Sequence, residues 1–510
     1  MSPKKLHKWL VLAVLCLSVF LVVVDNTIVN VALPSLSGKL HASNSALQWI
    51  VDAYSLPFAG LLLAGGGLSD RLGRKRVMQV GLVFFAGFSA MSAWSGSASQ
   101  LITARALMGL AAAFIFPATL SILTITFTDP RDRAKAYGIW GATSGLAVAF
   151  GPLTGGALIE HFWWGSVFLV NLPLVAITLI AGQIVIPESK SEFNRAFDFP
   201  GLLLGSTGIT VLVLAIIQGP NWGWRSATTL SLFSASVLLL ATFIIWERRR
   251  SEPLLDVRIF AKPAFSAGAV SIAASFFCLF GFIFLVTQYF QLVRGYSALS
   301  AGAHTLPFAI TSMIVTPLGA LLALRIGTRV VVGSGLLLVG VSLVWMGTQP
   351  ADAAFFGPVV GSMIVQAMGF SLITAPSTAA VMGSLSPEQI GAGSAVNNVT
   401  RELGGTLGVA VVGSAFSSVF GPQVMHAFAR VVPPAIAGRA GESMQAALAV
   451  NNSLPAGIAQ TVHPQIVESF MNGFHRGCFV GSGVAFVLSL VAFVWLPTKA
   501  DQPPVTMVAH

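Results

Sequence analysis

The sequence predicts an all-α, polytopic membrane protein of fourteen spans: two six-helix bundles with two extra transmembrane helices between them. Three observations carry this prediction. Apolar runs of about 20 residues recur along the chain, each long enough to cross a hydrocarbon core of about 30 Å as a helix. Of the 510 residues, 55% are hydrophobic and only 9% are charged, against about 25% charged in soluble domains. The mean hydropathy is +0.82, and the charge that exists is gathered into short segments between the runs. A membrane β-barrel would instead alternate apolar and polar residues within segments of about 10 residues.

The runs place spans at 9–33, 45–67, 77–96, 100–125, 137–159, 165–186, 200–218, 229–246, 264–288, 300–323, 330–346, 354–378, 393–420 and 477–496. The first follows Lys4, Lys5 and Lys8, as a signal peptide would. It is too long for one and lacks a small-x-small cleavage site, so it reads as a span. Residues 1–199 form the first six-helix bundle. Residues 200–263 hold the two extra helices and a linker. Residues 264–510 form the second bundle, with a long loop at 421–476 that reads as a surface loop with short interfacial helices.

Orientation follows from the stretch Gly66-Gly67-Leu68-Ser69-Asp70-Arg71-Leu72-Gly73-Arg74-Lys75-Arg76, expected as a charged hairpin between spans two and three. Four of its five charges are basic, which selects the cytoplasmic face. With that choice, 20 of the 28 Lys and Arg residues lie in cytoplasmic segments and six lie outside; Arg105 and Arg401 are inside spans. Both termini are then cytoplasmic. The same bias accounts for the net charge of +10 without nucleic acid. Cys16, Cys278 and Cys478 all fall within apolar runs, so no disulfide framework is expected.

The two bundles echo each other. Arg71-Leu72-Gly73-Arg74-Lys75 returns weakly 254 residues later as Arg325-Ile326-Gly327-Thr328-Arg329, with Leu324 where Asp70 stands. Two such halves are how many secondary transporters build a central pathway.

Of 18 acids, three sit well inside spans: Asp25, Asp52 and Glu402. A charge at membrane depth is costly and normally faces a cavity or a partner. Counting rise from the span ends puts Asp25, Asp52 and Arg105 about 8–12 Å below the external face, so the three could share one layer. Gln48, Asp52 and Ser55 form one polar stripe, and Ser394, Asn398 and Glu402 another. Such stripes point to a cavity or a helix contact. Asp25 reads either as a titrating group tuned by Arg105 or as its fixed structural partner. Asp52 reads as a pathway acid or a rim residue, and Arg401 as a neutralising neighbour of Glu402. His304 reads more readily as a packed histidine than as a proton relay.

No other energy source is visible. There is no Gly-x4-Gly-Lys-Ser/Thr phosphate loop, no Cys/His cluster for a metal, and no nucleophile–base pair that would suggest an enzyme. No cofactor is expected, and protons are the natural coupling ion. An acid whose charge state changes with water access or with a bound cation meets the physical requirement for coupling proton flow to export.

At these residues the chain resembles a known family. Gly67 through Gly73-Arg74-Lys75, between spans two and three, resembles the loop signature of the major facilitator superfamily. Val24-Asp25-Asn26-Thr27-Ile28-Val29-Asn30-Val31-Ala32-Leu33-Pro34 resembles the first-span signature of its fourteen-span drug:proton antiporters, the EmrB/QacA type. Arg105 with Gly109 resembles the fourth-span signature, and Gly151-Pro152-Leu153-Thr154-Gly155-Gly156 the fifth-span antiporter signature. One departure is Ala147, where the family usually carries glycine; it keeps a small residue but implies a softer local kink.

The resemblance implies a major facilitator fold and a proton-coupled multidrug exporter in a bacterial inner membrane, working by alternating access, possible as a monomer. Its substrates would be lipophilic, drug-like or lipid-like, and mostly cationic. It further implies that Asp70, Arg71 and Arg74 form a cytoplasmic charge latch and that Gly67 and Gly73 allow tight turns. Gly151, Pro152, Gly155 and Gly156 would bend and pack span five. Asp25, Asp52 and Glu402 would carry protons or attract cations, with Arg105 implicated in proton transfer. An exporter of an endogenous lipid or secondary metabolite on the same scaffold is the alternative.

Overall fold

The structure is a computed structural model and describes residues 3–40, 44–190, 198–250, 253–386 and 389–496. Among the described residues, fourteen helices are long and apolar enough to cross a membrane. They are α1 (His7–Leu33), α2 (Trp49–Leu72), α3 (Arg74–Ala93), α4 (Ala98–Thr126), α5 (Pro130–His161), α6 (Ser166–Val185) and α7 (Phe199–Pro220). The rest are α8 (Ala227–Arg249), α9 (Pro263–Val293), α10 (Leu299–Ile326), α11 (Thr328–Met346), α12 (Phe355–Gly383), α13 (Ile390–Phe428) and α14 (Ala456–Trp495). The described residues contain no strand.

Local chemistry sets the helix starts. Asp129 caps α5, its carboxylate accepting from the amides of Arg131 (3.0 Å) and Asp132 (2.9 Å). Ser97 and Ser226 do the same for α4 and α8, accepting from Gln100 and Thr229. Each cap satisfies amides that a helix start leaves orphaned. The expected hairpin at 66–76 is tighter than its sequence suggests: α2 runs to Leu72 and α3 begins at Arg74, so Gly73 alone is the break. Gly73 has φ +108°, a conformation that a Cβ makes costly. Gly67 makes no turn; it is helical and lies against Leu254. The echo 254 residues on is real in three dimensions, because Gly327 breaks α10 from α11 in the same way, with φ +93°.

Helix faces meet through small residues, as expected where lipid removes the hydrophobic drive between helices. On α2, Gly65 lies against the Ala113 backbone of α4; on α4, Gly109 lies against the Tyr54 backbone of α2. Gly404 and Gly408 of α13 do the same against Ala273 and Phe277 of α9. The first six helices meet the last six along two faces. In one, α5 packs on α10, with Gly138 against Pro317 and Gly156 against Leu299. In the other, α2 packs on α13, where a methyl at Gly66 would lie 2.7 Å from Ala395 Cβ.

The helix α7 touches both α2 and α13, and α8 packs on α7 with most of its surface facing outward. Trp224, in the turn between α7 and α8, donates to Ser414 of α13 at 2.9 Å. At the other end Trp246 donates to the buried carboxylate of Asp198, and Glu247 accepts from the Leu255 amide at 3.0 Å, tying α8 to the linker that leads into α9.

The 421–476 segment differs from its expectation. Helices α13 and α14 continue through most of it, to Phe428 and from Ala456. At 39 and 40 residues they are each about 58–60 Å long, well beyond a core of about 30 Å. Two short helices, Pro434–Ala440 and Met444–Asn452, sit between them and bury Ala437, Ala440, Met444 and Ala447. The loss of apolar character at 421–428 and 456–476 therefore does not mark the ends of the helices.

Candidate functional site

The site builds from α1 outward. Asp25 sits near the end of α1 opposite the Gly73 break and is fully buried. Its Oδ2 accepts from Arg105 Nη1 of α4 at 2.5 Å, and its Oδ1 accepts from Asn171 Nδ2 of α6 at 2.7 Å. The same amide nitrogen lies 3.0 Å from Ser89 Oγ of α3, and that hydroxyl donates to the Phe168 carbonyl at 2.8 Å. Arg105 is also fully buried; its Nε donates to the Ile50 carbonyl of α2 at 3.2 Å. The guanidinium stacks over the Tyr54 ring, 4.4 Å from its centroid, and Tyr54 donates in turn to the Val22 carbonyl of α1 at 3.0 Å.

Five helices of the first bundle, α1, α2, α3, α4 and α6, therefore converge on this ion pair. Such a pair persists in a dry interior only when its hydrogen bonds are nearly filled. Both carboxylate oxygens are satisfied, while Arg105 Nη2 and Asn171 Oδ1 are buried without partners. Gly109 matters here because α4 must approach the Tyr54 backbone closely to bring Arg105 under that ring. Asn171 and Ser89 escaped the sequence reading. The only signal was an amide inside the run Val170-Asn171-Leu172-Pro173.

Asp52 does not join this pair. Arg105 touches Ile50 and Tyr54, two residues to either side of Asp52. At about 100° per residue, a position two away points to the opposite side of the helix. Asp52 thus shares the level of Arg105 but faces away from it, half-buried, with Oδ2 unpartnered. Ser55 is half-buried, and the Gln48 side chain lies outside the described residues.

On α13, Ser394 donates across the halves to the Pro117 carbonyl of α4 at 2.8 Å, and Asn397 Nδ2 lies 3.4 Å from Asn398 Oδ1. Glu402 is half-buried and takes part in none of the ion pairs found among the described residues. Arg401 does not neutralise it; the guanidinium points instead to Thr378, Trp140 and Phe276. His304 is packed, its ring 4.3 Å from those of Tyr296 and Phe355 and its Nδ1 2.6 Å from the Ser300 carbonyl.

At the Gly73 end, Asp70 accepts from Arg74 Nη2 at 2.6 Å and Nε at 2.9 Å, with Arg74 almost wholly buried. The same carboxylate lies against Gly391, in the first turn of α13. A helix start carries partial positive charge, so the contact is favourable and bridges the two halves. Arg71 is exposed beside it. Glu188, just after α6, accepts from the amides of Lys75 and Arg76 at 3.1 Å and fixes the start of α3.

In the antiporter-like stretch, Gly151 lies against Thr27 and Gly155 against Ile28, both of α1, while Gly156 lies against Leu299 of α10. Ala147 is fully buried, and α5 runs unbroken past Pro152. Pro152 also borders a void of about 50 Å³ between the halves, lined in part by Val148, Phe282, Phe308 and Met363.

A family model described as the Major Facilitator Superfamily matches residues 15–409. Among similar proteins, the multidrug efflux pump LfrA of Mycolicibacterium smegmatis is 34% identical, over 95% of this chain and 94% of that protein. The methyl viologen resistance protein SmvA of Salmonella typhimurium is 32% identical over 97% and 99%. The tetracenomycin C resistance and export protein of Streptomyces glaucescens is 31% identical over 97% and 93%. Among solved structures, the human organic anion transporter MFSD10 superposes with a TM-score of 0.63 at 16% identity, over 96% of this chain and all of that one. The proton:xylose symporter XylE gives 0.59 at 16% identity over 98% of each; at that identity the likeness speaks for the fold. Helix number, the doubled glycine break and these matches agree: the chain belongs to the Major Facilitator Superfamily.

Proposed function

We propose that this protein is a proton-coupled drug exporter of a bacterial inner membrane, moving lipophilic, mostly cationic compounds outward by alternating access. The observation that carries the reading is the fully buried Asp25–Arg105 pair, closed by Asn171. A carboxylate whose ionic partner among the described residues is one arginine can release that arginine on protonation, and the five helices around it must then repack. That links proton uptake to helix movement without a nucleotide or other cofactor. Names of relatives such as LfrA and SmvA support a drug substrate.

In this reading, Asp25 is the coupling residue and Arg105 its tuning partner. Asp52 and Glu402, half-buried and without ion pairs among the described residues, attract the cation. Asp70 and Arg74, seated on Gly391, latch the cytoplasmic end in one state, with Arg71 beside them. Gly151, Pro152, Gly155 and Gly156 let α5 slide closely on α1 and α10. The two bundles are residues 1–199 and 264–510, joined by 200–263, and both termini are cytoplasmic. The chain works as a transporter rather than an enzyme and functions as a monomer.

The test is ethidium efflux from proteoliposomes under an imposed pH gradient, wild type beside Asp25→Asn. Gradient-dependent efflux lost in the variant is the expected result. Full efflux by the variant would move coupling to Asp52 or Glu402. A second reading, export of one secondary metabolite, is favoured by the likeness to the tetracenomycin C export protein. A transporter that moves no ethidium but lowers the cell content of one native metabolite would select it.

A further inference from the structure

Among the contacts between the two halves is one made near mid-depth by a cation, Arg401. Arg401 lies eleven residues into α13 from Ile390, and Trp140 ten residues into α5 from Pro130. Both starts lie at the Gly73 end of the bundle, so each residue is about 15–17 Å from that face, the middle of a core of about 30 Å. The Arg401 guanidinium is 4.5 Å from the centroid of the Trp140 ring and 5.1 Å from that of Phe276. One nitrogen donates to Thr378 Oγ1 at 3.2 Å, and Nε is buried without a partner. The residue is 6% exposed, and among the described residues no carboxylate lies within ion-pair distance.

A full charge at this depth normally has a carboxylate to offset it. Here the offset comes from aromatic faces, which attract cations more strongly when desolvated. Trp140 is built to present its face. It is fully buried, its Nε1 donates to Thr119 Oγ1 of α4 at 3.1 Å, and Phe116 packs beside it at 5.6 Å. Ring and anchor therefore belong to the first six helices, while Arg401, Phe276 and Thr378 belong to the last six. When the halves part, Arg401 leaves with α13, and the Trp140 face is left open at the depth where secondary transporters hold their substrates.

We propose that the Trp140 face is the docking platform for a planar aromatic cation, and that Arg401 is the resident cation covering it when no substrate is bound. The proposal rests on the export reading above and adds the surface on which a cationic substrate of that kind would sit. Arg401 competes with such a ligand; it does not bind it.

The experiment titrates ethidium into purified protein in nanodiscs and follows its fluorescence anisotropy, with thermal unfolding run on each variant. In the Arg401→Gln background, where no resident cation competes for the ring, Trp140→Leu weakens ethidium binding about 3- to 30-fold, the range expected for one cation–aromatic stack, and Trp140→Phe weakens it less. Arg401→Gln tightens binding. Arg401→Lys also tightens it, because an ammonium stacks on the ring less well than a planar guanidinium although the charge is kept. A mere charge effect would leave Arg401→Lys like wild type, and that result overturns the proposal. So does an unchanged Kd in both Trp140 variants of the Arg401→Gln protein while the wild type still binds and exports ethidium. A wild type that neither binds nor exports ethidium removes the export reading and this inference together.

Discussion

Removing the charge from Asp25 separates its two readings, coupling residue and fixed partner. Asp25→Asn leaves Arg105 fully buried, with a carbonyl oxygen in place of its 2.5 Å carboxylate partner. Leaving a buried charge uncompensated costs about 3–5 kcal/mol. The Ile50 carbonyl and the Tyr54 ring still contact the guanidinium, which holds the cost toward the lower end. The double variant Asp25→Asn/Arg105→Gln leaves no buried charge, and two amides can still hydrogen-bond across the same gap. It should regain most of the lost stability, a coupling within the roughly 0.5–3 kcal/mol range of contacting pairs. The assays are thermal unfolding in detergent and gradient-driven ethidium efflux in proteoliposomes. The single variant should be destabilised and inactive; the double should be stable and still inactive. A double variant that is both stable and active would show that the pair only holds helices together.

Three further outcomes follow from the packing. In Gly391→Val the side chain meets the Asp70 carboxylate, with a Cβ only 2.6 Å from Oδ1. It should loosen the contact between α2 and α13, slow efflux several-fold, and raise cysteine cross-linking distances at that end; an unchanged rate would count against the latch. Gly73→Ala faces φ +108° and the Glu188 carboxyl carbon at 2.8 Å from its Cβ, and should cost about 1–3 kcal/mol, read by thermal unfolding. Orientation is read with a membrane-impermeant maleimide on intact cells: a cysteine replacing Arg430 should label, and one replacing Arg76 should label only after lysis. The reverse pattern would invert the topology.

The spans were legible because each has to satisfy its backbone internally and present apolar side chains to lipid, which writes long apolar runs into the sequence. The charged segment at 66–76 and its echo at 325–329 were legible, but not that Gly73 and Gly327 alone make the breaks, where positive φ favours glycine. The extensions of α13 and α14 were not, because a helix outside the bilayer has no need of an apolar run. Gly67 was read as part of a turn, but it sits within α2, where its smallness serves contact with Leu254.

At the site, the sequence by itself determined which charges lie at membrane depth, since a run with few charges makes each one conspicuous. It could put Asp25, Asp52 and Arg105 at one level by counting rise. Only the tertiary structure decided that Asp25 and Arg105 meet while Asp52 turns away, because which face a helix presents depends on how its neighbours pack. The same holds for Asn171, from a sixth helix, and for Arg401, which turns from Glu402 to a tryptophan across the interface. Depth is a one-dimensional property that a sequence can carry; pairing between helices 80 or 261 residues apart is set by packing in the other two dimensions.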